Sequence, residues 1–279
     1  MPASFLRNRQ AAFRVIGLFF HPARRGLPIK RFFFICFFAV ALSALAACSA
    51  TQSGDTATIA VATNFKTTLE QLESDFEARS GHKLNVVSGS TGKLYAQIVN
   101  GAPYDVFLAA DQTRPQRLVQ DGLADAHFTY AIGGLALWSP GRNEISPDTL
   151  DDPGFTRMAI ANPDLAPYGM AGIQLLDRLD RKTAWQSKLV YGESVGQPFA
   201  FVSTGNAEIG LVSAAQVLAL ADATEGNYWL IPHQLHDPIA QDAVLLDHGQ
   251  DNAVAAAFLT YLKTSDARDI IRRSGYRLP

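Results

Sequence analysis

Three short stretches of this chain place small hydroxyl or amide residues where a strand gives way to a helix. They are Ala62-Thr63-Asn64-Phe65, Ser88-Gly89-Ser90-Thr91-Gly92 and Gly192-Glu193-Ser194-Val195-Gly196. A helix start leaves about four N–H groups without an intrahelical acceptor and carries roughly half a positive charge. Several such starts turned toward one cleft bind an anion through neutral donors, and Ser or Thr hydroxyls add donors without placing a full cation in the site. Taken singly, each junction is also an ordinary N-cap, since Ser, Thr and Asn are the preferred residues there. Convergence on one point is what separates the two readings.

Other patterns carry less. Ser90-Thr91-Gly92-Lys93 is not a P-loop, because Val87 and Leu94 stand where that motif requires Gly and Ser/Thr. His233 and His236 lie in a Pro-flanked loop with no cysteine nearby, which reads as a solvated loop rather than a metal pair. Asp105 and Asp111, six residues apart across a strand end, read as a buried hydrogen-bonding group and a helix cap. Trp138, Trp185 and Trp229 read as packing residues. The cleft loops present neither a nucleophile–base pair nor paired carboxylates, so the sequence points to binding and not to an enzyme.

These junctions need elements to position them. The spacing predicts a strand over 58–63 and a helix over 64–80, whose Phe65, Leu69, Leu72 and Phe76 recur at intervals of three and four, with Gly81 ending it. A strand over 83–87 leads into a helix containing Leu94, Tyr95, Ile98 and Val99, and 104–109 is a buried strand. The alternation resumes with strands at 157–161, 188–191, 207–212 and 228–231 and helices at 169–179, 194–203 and 214–223. Helices at 254–262 and 267–273 close the chain. Such alternation indicates parallel βαβ units with helices on both faces of a sheet. Extended segments at 132–139 and 239–246 are the candidate crossings between two lobes. The expected division is lobe 1 over 57–135 plus 245–279 and lobe 2 over 136–244.

Charge is distributed unevenly. Of 24 basic and 26 acidic residues, seven basic and no acidic ones precede Asp55, so the rest carries 17 basic against 26 acidic, a net −9. An acidic body lacks the basic footprint of a nucleic-acid binder. The basic stretch runs into sixteen residues, 32–47, interrupted only by Ser43. That is shorter than the roughly 20 a membrane span needs, and it ends in small residues as an export signal does. Residues 1–47 are therefore expected to be a signal segment, although the part before residue 30 is long for one and a later start codon would shorten it. Leu45-Ala46-Ala47-Cys48 has the form of a lipobox, in which Cys48 is acylated; cleavage at an Ala-x-Ala site after Ala46 or Ala50 is the other reading. Residues 48–56 form a tether. Cys36 and Cys48 are the only cysteines, and Cys36 falls within the signal, so no internal disulfide is expected.

Several separated motifs together resemble the molybdate-binding proteins of bacterial ABC transporters. They are Ala62-Thr63-Asn64-Phe65-Lys66-Thr67-Thr68-Leu69, the run from Ser88-Gly89-Ser90-Thr91-Gly92 to Ile98, and Gly101-Ala102-Pro103-Tyr104-Asp105 on to Asp111. Asn162-Pro163-Asp164 through Gly172, Asn206-Ala207-Glu208-Ile209-Gly210 and the closing Gly275-Tyr276 continue the match. The resemblance implies a type II periplasmic-binding-protein fold. Each of its two lobes is a mostly parallel α/β sheet flanked by helices, and the pair closes on molybdate or tungstate in the cleft between them. Carried over by position, the donors are Thr63, Asn64, Thr91 with Ser90 beside it, and the backbone N–H groups of Tyr168 and Val195. Some members place a tyrosine hydroxyl where this chain has Ser213. The resemblance further implies no cofactor, a monomer that is exported to the periplasm, and a permease of the inner membrane as partner.

A donor-only lining suits a fully ionised dianion. A protonated phosphate would leave its O–H unpaired, at about 1–3 kcal/mol. Sulfate matches molybdate in charge and is smaller, so it is the alternative ligand, and cavity size must decide between them.

Overall fold

The computed structural model describes residues 55–140, 142, 144–220 and 228–279. The expected signal segment, Cys48 and nearly all of the tether lie outside the described residues. The strands form two five-stranded sheets. The first contains β1 (Thr56–Ala62), β2 (Lys83–Gly89), β3 (Val106–Leu108), β4 (Ala124–Gly133) and β10 (Ile239–Leu246), in the order β2-β1-β3-β10-β4. The second contains β5 (Leu135–Trp138), β6 (Met158–Ala161), β7 (Leu189–Gly192), β8 (Ile209–Ser213) and β9 (Tyr228–Leu230), in the order β7-β6-β8-β5-β9. In each sheet four of the five strands run the same way and one runs against them, β10 in the first and β5 in the second, so each sheet is mostly parallel in strand direction with one reversed strand.

Burial explains which strands sit centrally. β5, β6 and β8 are buried along their whole length, whereas β2 and β4 at the edges of the first sheet have exposed residues. Helix α1 (Lys66–Ser80) buries Leu69, Leu72 and Phe76 against the first sheet, as its spacing predicts. It ends where Gly81 takes φ 74°, a left-handed conformation that costs glycine little, and the Gly81 N–H donates to Glu77 O. On that face Ile59, Val61 and Phe76 meet Phe258 and Ile271 of the C-terminal helices α8 (Ala253–Tyr261) and α9 (Ser265–Arg273). On the opposite face Ala60, Phe107 and Val244 meet Leu94 of α2 (Thr91–Val99) and Leu118 of α3 (Thr113–Gln120). The C-terminal helices therefore pack on the first sheet.

Two assignments differ from the expectation. Ile239–Leu246 joins the first sheet along its length, pairing antiparallel with β3 and β4, so the return crossing precedes residue 239 rather than falling near 245. Leu135 already belongs to β5 of the second sheet, which places the outward crossing at Gly133 and Gly134. Strand β4 and helix α3 were not expected. In β4 the sequence ADAHFTYAIG lacks a clean alternation, because it packs on one partner only and three successive residues, Asp125 to His127, are exposed.

Asp105 is buried; its Oδ2 accepts the Thr58 N–H at 2.6 Å and its Oδ1 lies 3.1 Å from His248 Nδ1. Asp111 lies one residue before the N-cap Gln112 of α3 and accepts the Arg114 N–H of its first turn. Trp138 stacks on Phe199 and the Trp185 indole donates to Leu150 O, so both pack in the second lobe.

Candidate functional site

The two sheets share one plan, and the donor junctions occupy matching places in it. β1 lies between the parallel strands β2 and β3, as β6 lies between β7 and β8. Thr63 and Asn64 follow β1 as Tyr168 follows β6; Ser90 and Thr91 follow β2 as Val195 follows β7. All six residues line one cavity between the lobes. The carboxyl ends of parallel strands are where clefts of such sheets form. The cavity encloses about 180 Å³, open solvent included, against about 1140 and 1270 Å³ for two wider grooves.

Each predicted donor has a local reason for its position. Thr91 is the first residue of α2, and its Oγ1 accepts the Ala110 N–H at 3.2 Å. Ser90 caps the same helix, with Oγ accepting the Lys93 N–H at 3.4 Å. Each hydroxyl thus uses a lone pair on the protein and keeps its hydrogen available. Tyr168 is the second residue of α4 (Pro167–Arg178), behind a proline at the first position, and Val195 precedes α6 (Gly196–Ser203) as its N-cap. Amides at those places have no intrahelical acceptor. A Cβ on Gly196 would lie 2.8 Å from Thr63 Cγ2, so the walls of the two lobes meet at a residue without a side chain.

Asn64 differs from the expectation in detail. Its carboxamide does not stay free for a ligand but donates to Gln241 Oε1 (3.0 Å), Tyr276 Oη (3.2 Å) and Tyr168 Oη (3.3 Å), which leaves its backbone N–H. Tyr276 Oη in turn donates to Asn64 O at 2.7 Å, and Tyr130 Oη lies 3.1 Å from Gln241 Oε1. Burial pushes the Tyr168 phenol up to about 12 and those of Tyr130 and Tyr276 well above the usual value, so this cluster is neutral at ordinary pH. Ser213 joins the cluster and not the cavity wall: it is fully buried and its hydroxyl lies 3.4 Å from Tyr168 Oη. Gln241 and Tyr130 carried no local signal, since their role depends on partners more than 70 residues away.

Among the described residues no carboxylate, lysine, arginine or histidine lines the cavity. The charges that neighbour the lining residues in the chain are paired. Lys93 Nζ lies 2.5 Å from Glu193 Oε2, and the Arg114 guanidinium pairs with Asp111 while donating to Asp164 O at 3.1 Å. With the Gly92 N–H donating to Leu165 O at 2.9 Å, these contacts join the lobes in a closed arrangement. Gly192-Glu193-Ser194-Val195-Gly196 spells the Gly-x-Ser-x-Gly of a nucleophile elbow, and Ser194 lines the cavity, but with no histidine beside it the serine lacks a base. Among the described residues no group of three or more His, Cys, Asp and Glu is placed to hold a metal ion. His236 Nδ1 faces Asp237 O at 2.7 Å instead.

The model of bacterial extracellular solute-binding proteins matches residues 57–277. The molybdate-binding protein ModA of Azotobacter vinelandii is 45% identical over 244 residues, covering 86% of this chain and 96% of the relative. That of Rhodobacter capsulatus is 40% identical over 225 residues, covering 78% and 86%. Among solved structures, the periplasmic molybdate-binding protein of Azotobacter vinelandii superposes with a TM-score of 0.76 at 41% identity, covering 80% of this chain and 99% of that one.

Proposed function

Because the chain belongs to the family of bacterial extracellular solute-binding proteins, we propose that it binds molybdate outside the cytoplasm and delivers it to an ABC transporter for uptake. The observation that carries the ligand assignment is the lining: hydroxyls and helix-start amides from both lobes, with no charged group. Donors fixed in advance in a water-poor cavity hold a dianion without a cation, because they need no reorganisation when it arrives. The proposed donors are the Thr63, Ser90 and Thr91 hydroxyls and the N–H groups of Asn64, Tyr168 and Val195. A ligand gripped from both lobes stabilises the closed form by its differential affinity, which converts occupancy into shape. That shape is what a permease of the inner membrane would read. Tungstate, with the same charge and tetrahedral form, is proposed as a second ligand. Anchoring through an acylated Cys48 and a monomeric state complete the proposal, resting on the lipobox pattern and on a site that one chain assembles alone.

Titration calorimetry of the purified protein with molybdate, tungstate, sulfate and phosphate tests the reading. Tight binding of the first two, weak binding of sulfate and none of phosphate are expected. Equal affinity for molybdate and sulfate would transfer the assignment to oxyanions at large, and binding of none would end it.

A further inference from the structure

Tyr168 reaches two places at once. The residue lines the cavity at the start of α4, and its hydroxyl is buried beside Gly133 and Gln241 at the hinge. There it accepts from Gln241 Nε2 at 3.1 Å and Asn64 Nδ2 at 3.3 Å, and meets Ser213 Oγ at 3.4 Å. Gln241 and Gly133 flank the two crossings between the lobes, on neighbouring strands in which Gly133 pairs with Ile239. A Cβ on Gly133 would lie 2.2 Å from Tyr168 Oη and 2.6 Å from Gln241 Nε2. The hydroxyl of a second-lobe residue is thus seated directly on the hinge backbone and held there by first-lobe side chains.

Molybdate and sulfate present the same charge and the same acceptor-only surface, so equal donors cannot tell them apart. Only the dimensions of the cavity can. Its walls come from both lobes, so its dimensions follow the closure angle, and that angle is limited by what fills the hinge. An apolar contact yields by sliding, whereas a hydroxyl with several hydrogen bonds and no space beside it does not. We propose that the Tyr168 hydroxyl, seated against Gly133 and held by Gln241 and Asn64, is the stop that limits lobe closure and thereby sets the preference for the larger dianion. Sulfate, with shorter bonds, needs the lobes to come closer than the stop allows. Tyr168 is in this respect a positioning residue, acting through the hinge. The inference rests on the oxyanion reading above.

The test is calorimetric titration of the wild-type chain and Tyr168→Phe with sodium molybdate and sodium sulfate. The expected result is at least a tenfold fall in the molybdate-over-sulfate affinity ratio, with sulfate affinity rising relative to molybdate. A purely structural role would weaken both ions by the same factor, and an unchanged ratio overturns the proposal. Should Tyr168→Phe lose its cooperative melt, Ser213→Ala decides, because it leaves the Gln241 and Asn64 contacts of the Tyr168 hydroxyl in place. A fall of about threefold supports the stop, and an unchanged ratio refutes it. If the wild-type chain bound neither ion, the oxyanion reading itself would fail, which is a different outcome from an intact wild type and an indifferent variant.

Discussion

The two lobes contribute to the cavity from matching positions but with different chemistry. After β1 and β2 the first lobe presents side-chain hydroxyls, Thr63, Ser90 and Thr91. After β6 and β7 the second lobe presents Tyr168 and Val195, whose side chains have no donor for the cavity or turn it elsewhere, so that their amides remain. The first half of the proposed donor set is therefore written mainly in residue types and the second mainly in backbone conformation, with the Asn64 N–H and the Ser194 hydroxyl as the exception in each. Substitution should damage the first half readily and the second only when the main chain itself is altered.

The largest effects test this contrast directly. Thr91→Val removes a hydroxyl that also accepts the Ala110 N–H. A hydrogen bond to a charged group contributes about 1.5–3 kcal/mol, so molybdate affinity should fall roughly 10- to 150-fold in a calorimetric titration. Val195→Pro should cost as much. Val195 has φ −66°, which a proline ring accepts, so the substitution removes the N–H with little change of backbone. If Val195→Pro bound as the wild type does, the second lobe would not be donating through that amide. Ser90→Ala comes next. It removes a helix cap worth about 1 kcal/mol together with a candidate donor, so affinity near tenfold lower should accompany a melting temperature a few degrees lower. Val195→Ala completes the contrast with less than a threefold change in affinity. A large loss there would show that the side chain matters and would remove the distinction between the lobes.

A smaller effect concerns pH. With no carboxylate or cationic side chain in the lining, molybdate affinity should be flat from about pH 6 to 9. Stability behaves differently at the alkaline end. The buried phenols of Tyr130, Tyr168 and Tyr276 stay protonated in the folded state above the pH at which they ionise in the unfolded chain. Their contribution is intact below about 10, the unfolded value, and is lost as pH rises beyond it, through about 12 for Tyr168. Thermal melts from pH 7 to 11 should hold level and then decline. A level curve throughout would mean that the three hydroxyls are not sequestered as the cluster requires.

What could be read in the sequence was what is local. The helix faces built on Leu69, Leu72 and Phe76, the glycine stop at Gly81 and the donor junctions themselves each depend on a few neighbouring residues. The return point of the chain was not legible, because Ile239–Leu246 reads as an extended segment whichever sheet receives it. Nor was the role of the Asn64 carboxamide, which looks like a ligand donor until Gln241 and Tyr276 arrive from 177 and 212 residues away. Ser213 illustrates the same limit. Its position suggests a shortened ligand contact, and its partner turns out to be a tyrosine hydroxyl from another helix.

The paired charges on the loops that line the cavity bear on how fast the ligand arrives. Lys93 faces Glu193 and Arg114 faces Asp111, so neither cation is left to draw a dianion inward, and residues 55–279 carry a net −9. Encounter is then opposed by the protein's own field, and added salt should quicken it by screening, the reverse of the usual steering of charged ligands. In a stopped-flow experiment the association rate for molybdate should rise modestly with ionic strength. The protein would in that case be a slow collector and a selective keeper, with discrimination exercised after entry, in the time the ion stays.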